Sequence, residues 1–190
     1  MNRLAIAKAA NIILQGGVIA YPTEAVFGLG CDPLNENAIL RILQIKERDP
    51  HKGLILVAAS IEEVLPFIDA KKVPLTVWKT IEERWPGPFT YVMPCSSLVS
   101  PILSGGRQTI AVRVSNNPVV KALCLQANMA LVSTSCNRSG SDPIKTAESV
   151  EIEFGNRLDY VVHEAVGGLD SPTEIVDALT GKIIRPAVRN

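Results

Sequence analysis

The run Val18–Pro33, VIAYPTEAVFGLGCDP, constrains the fold of this chain more than any other stretch. Val18-Ile19-Ala20-Tyr21 has the length and apolar character of a buried strand. Pro22 ends it, because proline cannot donate to a ladder. Thr23 and Glu24 then stand on the turn, and Gly28 and Gly30 let the backbone approach another group closely. A hydroxyl and a carboxylate at a strand end, followed by spaced glycines, is a common way to build a ligand site. It is equally an ordinary strand-to-loop junction. What separates the two readings is whether other strand ends also carry polar clusters.

Hydrophobic periodicity sets the frame around that run. A helix is expected over Leu4–Gln15, with Ile6, Ala9, Ala10, Ile13 and Leu14 inward and Gly16-Gly17 as its stop. A second runs over Glu36–Lys46, capped by Asn35, with Ile39, Leu40, Ile42 and Leu43 inward. Leu54–Ala58 reads as a strand, and Ser60 with Glu63 as a capping box. Pro74 opens a helix with Leu75, Trp78, Ile81 and Trp85 inward, broken at Pro86-Gly87-Pro88. Phe89–Pro94 alternates as a strand, and Leu98–Gly106 reads as an irregular loop. Thr109–Val114 is the cleanest period-two segment, with Thr109, Ala111 and Arg113 on one face. An arginine beside a threonine on one strand face suggests that this face looks into a site. A helix from Asn117-Pro118 to Gln126 follows, then a strand over Met129–Ser133 running into Thr134-Ser135-Cys136-Asn137. Thr146–Phe154 reads as helix and Tyr160–His163 as strand. Glu174–Ala178 and Lys182–Arg185 form a hairpin across Thr180-Gly181. The order of elements points to one α/β domain over residues 1–190, a twisted mixed sheet flanked by helices.

Composition excludes several functions. Lysine plus arginine equals aspartate plus glutamate, 19 against 19, so anion binding must come from a local cluster of charge. Cys31, Cys95, Cys124 and Cys136 form no C-x-x-C pair, which favours free thiols in a reducing compartment. No leader pattern or membrane-length apolar run is present, so the expected location is cytoplasmic. His51 and His163 have no metal-ligand spacing, and no protein-held metal is expected. Neither a phosphate-loop motif nor a dinucleotide fingerprint occurs.

Cations and hydroxyls remain. Lys46, Arg48 and Lys52 cluster at a helix end, where the macrodipole alone also favours cations. Ser133, Thr134, Ser135 and Asn137 follow a strand, which a simple polar turn would also explain. Arg113 suits an anionic ligand or a structural carboxylate. Together these residues describe a concave, positively charged pocket for a polyphosphate and a small zwitterion.

Ala20-Tyr21-Pro22-Thr23-Glu24, Lys46-x-Arg48, Ala111-Val112-Arg113-Val114 and Ser133-Thr134-Ser135-x-Asn137-x-Ser139-Gly140 closely resemble the YrdC/TsaC family, in order and over essentially the whole chain. It looks like the family's short single-domain bacterial form. The resemblance implies L-threonylcarbamoyladenylate synthase activity. L-Threonine, bicarbonate and ATP with Mg²⁺ would give threonylcarbamoyl-AMP and pyrophosphate, for threonylcarbamoylation of tRNA adenosine 37 by a downstream transferase machinery. Lys46, Arg48, Ser135 and Asn137 are then the catalytic set. Arg48, Lys52, Thr109, Ser135, Asn137, the backbone near Pro143, and Arg185 belong to ATP. Thr23, Arg113, Ser133 and Thr173 would hold threonine.

Some positions depart from the family pattern. Longer relatives often read Asn-Pro-Leu where this chain has Lys52-Gly53-Leu54, and Val57 replaces a histidine, so no histidine contact to threonine is carried over. Cys136 stands where alanine is usual, and Ser171-Pro172-Thr173 keeps a hydroxyl where others read Glu-Ser-Thr. Two rival readings are a non-catalytic RNA-binding module, with weak tRNA contact through a basic concave surface, and a sensor that binds ATP or an amino acid without turnover. Zero net charge weighs against the first.

Overall fold

A computed structural model describes residues 1–169 and 173–186. Helix α1 covers Arg3–Leu14, and the Asn2 side chain caps it by accepting from the Leu4 and Ala5 amides. Strands β1 (Ile19–Pro22) and β2 (Phe27–Gly30) pair antiparallel, so Pro22 closes the ladder opposite Phe27. The Gly28–Gly30 segment is therefore the return strand of a hairpin, not the loop expected from its glycines. Helix α2 (Glu36–Lys46) is capped by Asn35 as expected.

β3 (Ile55–Ala58) leads into the short α3 (Ile61–Val64) and then α4 (Leu75–Glu82). β4 (Phe89–Pro94), α5 (Pro101–Ser104), β5 (Thr109–Val114) and α6 (Pro118–Ala127) follow. β6 (Leu131–Ser135), α7 (Ala147–Phe154), β7 (Tyr160–Val161), β8 (Glu174–Asp177) and β9 (Ile183–Arg185) complete the elements. The nine strands among the described residues form one mixed sheet in the order β7-β1-β2-β6-β3-β5-β4-β8-β9.

The two faces are covered unequally. On one, Ala20, Leu29, Leu56, Ile110, Val112 and Val132 pack in the larger core with Ile39 and Ile42 of α2, Ile81 of α4 and Val150 of α7. On the other, α1 and α6 cover only part of the sheet, with Ile6, Ile13, Val120 and Leu123 against Ile19, Tyr21, Val57 and Leu131. Period-two geometry places Ile55, Ala111 and Ser133 on this second face too, since Ile55 pairs with both Ala111 and Ser133. No helix among the described residues covers them, and the uncovered part of that face is the floor of a cavity.

Several expectations are corrected. Leu14 (52%), Leu40 (41%) and Leu75 (72%) are exposed rather than inward, because the apolar stripe of each helix is narrower than its count of leucines. Ser60 and Glu63 make no capping box. Glu63 instead accepts from the Ala59 amide, and Ser60 has no side-chain cap bond. The expected loop Leu98–Gly106 contains α5, capped by Ser100. The strand placed at Met129–Ser133 lies two residues later, at Leu131–Ser135. Of Ser171-Pro172-Thr173, only Thr173 lies within the described residues.

Candidate active site

The cavity measures about 730 Å³ and is walled by the hairpin turn, the segment after α2, the ends of β5 and β6, and the β8–β9 hairpin. At one end stands Arg113 on β5, buried at 6% exposure. Its guanidinium donates to the Thr173 hydroxyl at 2.6 Å and lies 3.2 Å from a carboxylate oxygen of Glu24. Thr173 is a junction: its carbonyl also accepts from Arg185 at 2.7 and 3.2 Å. Burial, then the charge of Arg113, lowers the pKa of Arg185. Arg113 and Arg185 thus meet at Thr173, with Glu24 as the counter-ion of Arg113.

The floor carries hydroxyls. Thr23 and Ser133 flank Gly28, where a Cβ would stand 3.2 Å from Thr23 Cγ2 and 3.4 Å from Ser133 Oγ. The Thr23 hydroxyl itself donates to the Val26 carbonyl at 2.7 Å. Thr109 and Ala111 share this face with Arg113, as the alternation of β5 predicts.

Cations gather again at the other end. Arg48 follows α2 and donates to the Gly53 carbonyl at 2.9 Å, while Arg107 donates to the His51 and Lys52 carbonyls, both at 2.7 Å. The turn carrying Lys52 is thus clasped from two sides. Desolvation, then Arg107, lowers the Arg48 pKa, and its Nε is buried without a partner among the described residues. Gly53 adopts φ +60°, which proline cannot reach. That explains in backbone terms why this chain departs from an Asn-Pro-Leu pattern here.

Ser135 and Pro143 line the same cavity; Lys46 and Asn137 do not. Both sit directly behind its wall. The Lys46 ammonium contacts the Ser135 carbonyl, the Asn137 carbonyl at 2.7 Å and Asn137 Oδ1 at 3.3 Å, so its three protons have three acceptors. Desolvation, then Arg48, pulls its pKa down to about 8. Asn137 Oδ1 also accepts from Ser135 Oγ at 2.6 Å, and its Nδ2 donates to the Arg138 and Ser141 carbonyls. The contacts of Lys46 and Asn137 among the described residues shape the Ser135–Asn137 turn. Cys136 within that turn is fully buried, and desolvation raises its thiol pKa to about 12, as suits a packing residue.

Sequence reasoning gave no role to three charged lining residues, Glu24, Arg107 and Asp177. Arg107 lay between the expected loop Leu98–Gly106 and the expected strand Thr109–Val114 and carried no local signal. Glu24 was visible on its turn but received no role. Among the described residues, no group of three histidine, cysteine or carboxylate side chains is placed to hold a metal.

The half-open α/β sheet carries one cavity lined by Arg48, Lys52, Arg107, Arg113 and Arg185 together with the carboxylates of Glu24 and Asp177. The Sua5/YciO/YrdC family model, described as "Telomere recombination", matches residues 11–187, and the chain belongs to that family. It is 46% identical over 178 residues to a threonylcarbamoyl-AMP synthase of Vibrio parahaemolyticus and 43% identical over 178 residues to that of Idiomarina loihiensis, in each case covering 94% of this chain and 96% of the relative. A crystal structure of P. abyssi Sua5 complexed with L-threonine superimposes with a TM-score of 0.91 at 29% identity over 98% of this chain. The chain spans 55% of that Sua5 chain.

Proposed function

We propose that this protein makes threonylcarbamoyl-AMP and pyrophosphate from L-threonine, bicarbonate and ATP. The observation that carries the reading is the arrangement of one cavity, with Arg113 and Thr173 beside the hydroxyls of Thr23 and Ser133 at one end and Arg48, Lys52 and Arg107 at the other. The first end suits the carboxylate of an amino acid, and the second a triphosphate.

The chemistry asks little of a general base. The amine of threonine, once its ammonium has released a proton, forms a C–N bond with bicarbonate as water leaves, giving a carbamate whose oxygen is already anionic. That oxygen forms a bond to the α-phosphorus while the bond to the bridging oxygen breaks, and the electron pair leaves with pyrophosphate. Catalysis therefore rests on alignment and charge compensation. Arg48, Lys52 and Arg107 neutralise the departing pyrophosphate, Ser135 touches the phosphates, and Lys46 with Asn137 holds Ser135 in place. Thr109, the backbone at Pro143, and Arg185 flank the nucleotide. Mg²⁺ would be held mainly by the phosphate oxygens of ATP. The product is then the donor for a tRNA-modifying transferase.

Pyrophosphate release tests this directly. It is expected to require threonine and bicarbonate together and to be indifferent to added tRNA. Arg48→Ala should reduce it roughly a hundredfold or more, the usual loss for one preorganised charge donor. Release without threonine, or unchanged release by Arg48→Ala, refutes the assignment.

A further inference from the structure

Two buried polar atoms on adjacent side chains of the cavity wall make no hydrogen bond among the described residues: Arg113 Nε, a donor, and Glu24 Oε2, an acceptor whose one partner there is the Arg113 Nη2 ion pair at 3.2 Å. An unmatched buried polar group is costly, and such groups persist where a ligand completes them. An α-amino acid carries the complementary pair on a single carbon, an ammonium donor and a carboxylate acceptor. With Arg113 facing the carboxylate, we propose that Glu24 receives the ammonium of the amino-acid substrate and selects a zwitterion over an acid lacking the amine. This deepens the proposed function and rests on its threonine reading.

The rest of the turn shows how Glu24 is aimed. Its other oxygen, Oε1, accepts from Ser115 Oγ at 2.6 Å, and Ser115 Oγ in turn accepts the Asn117 amide at 3.0 Å. Its main-chain carbonyl accepts from Leu169 at 3.1 Å, and Gly167 packs so closely that a Cβ there would stand 2.7 Å from the same oxygen. The side chain is only 11% exposed. The carboxylate is thus fixed by Ser115 at Oε1 and by the Arg113 ion pair at Oε2, and an ammonium would take the hydrogen-bonding capacity that Oε2 retains beside Arg113. It would also hold the nitrogen that must meet the bicarbonate carbon, so both affinity and alignment pass through it.

Calorimetry with L-threonine and with 3-hydroxybutyrate, the same skeleton without the amine, tests the proposal. Glu24→Gln keeps the shape and removes the charge. It should weaken threonine binding on the order of thirtyfold. It should leave 3-hydroxybutyrate unchanged or bound more tightly, because Arg113 loses its internal counter-ion, and the KM for ATP should not move. Should that variant fail to fold, Ser115→Ala frees Oε1 and is expected to weaken threonine alone by about threefold, because the carboxylate is then less firmly aimed. Equal weakening of both ligands would mean that Glu24 merely holds Arg113 and would overturn the proposal. So would unchanged threonine affinity in a variant of a protein that still releases pyrophosphate, and that result leaves the proposed function standing. A wild-type protein that binds no threonine overturns both.

Discussion

Lys46 shows what a single side chain does here. It is 2% exposed and binds three oxygens of the Ser135–Asn137 turn. Its folded pKa of about 8 lies below the ordinary lysine value of 10.5. Between those values the unfolded chain holds a proton that the folded chain has shed, so this residue's contribution to stability rises with pH through that window. The raised pKa values of Cys31, Cys124 and Cys136 act in the opposite sense, since there the folded state keeps the proton longer. Denaturant titrations of wild type and Lys46→Met at pH 7.5 and 10 separate them: the difference between the two proteins should shift by about 2–3 kcal/mol in favour of wild type at the higher pH. No shift would place an ordinary, solvated lysine there. Arg113 yields a kinetic prediction. Arg113→Lys should raise the KM for threonine about ten- to a hundredfold while leaving that for ATP unchanged, because lysine cannot serve Thr173, Glu24 and a carboxylate at once. Both residues were legible in the sequence as cations in polar company. Their actual contacts were not, because the partners of Arg113 are 60 and 89 positions away, at Thr173 and Glu24. A helix-end cation, meanwhile, looks the same whether it faces solvent or main-chain carbonyls.

Among the elements, the turn after α2 is the most sensitive. A Cβ on Gly53 would lie 2.5 Å from an Arg107 nitrogen and 2.8 Å from the Ser104 carbonyl, at a φ that side chains rarely adopt. Gly53→Ala should cost about 1–3 kcal/mol and raise the KM for ATP roughly tenfold, since it loosens the clasp on Lys52. The control is Asn117→Ala, which removes the cap that Val119 and Val120 donate to. It should cost about 1 kcal/mol of stability, read by denaturant midpoint, with threonine and ATP constants unchanged. Elements with strong local signals were readable: β5 matches its period-two segment residue for residue, and α2 and α6 begin where their asparagine caps stand. β2 was not, because Gly28 and Gly30 are poor strand formers. Their reason lies across the sheet, where a Cβ on Gly30 would meet the Tyr21 ring at 2.6 Å. Tertiary contact overrides propensity there.

At the level of the whole molecule, unequal coverage of one sheet makes the site. Helices α1 and α6 bury Ile19, Tyr21, Val57 and Leu131 and stop short of Ile55, Ala111 and Ser133. Strands β5 and β6, together with the β8–β9 hairpin, can then present arginines and hydroxyls to a shared space. A mixed sheet was foreseeable from the order of elements. The strand order was not, since it joins β2 to β6 and β4 to β8 through pairings with no local signature. No helix among the described residues is long and apolar enough to cross a membrane. The central claim is that this one cavity joins three substrates, and isotope tracing tests it most directly. The protein would be incubated with ¹³C-bicarbonate, L-threonine and MgATP, and the nucleotide products weighed by mass spectrometry. The expected result is an AMP adduct that carries threonine and one labelled carbon, in step with pyrophosphate release. Pyrophosphate release without a labelled adduct, or an adduct lacking threonine, would contradict it.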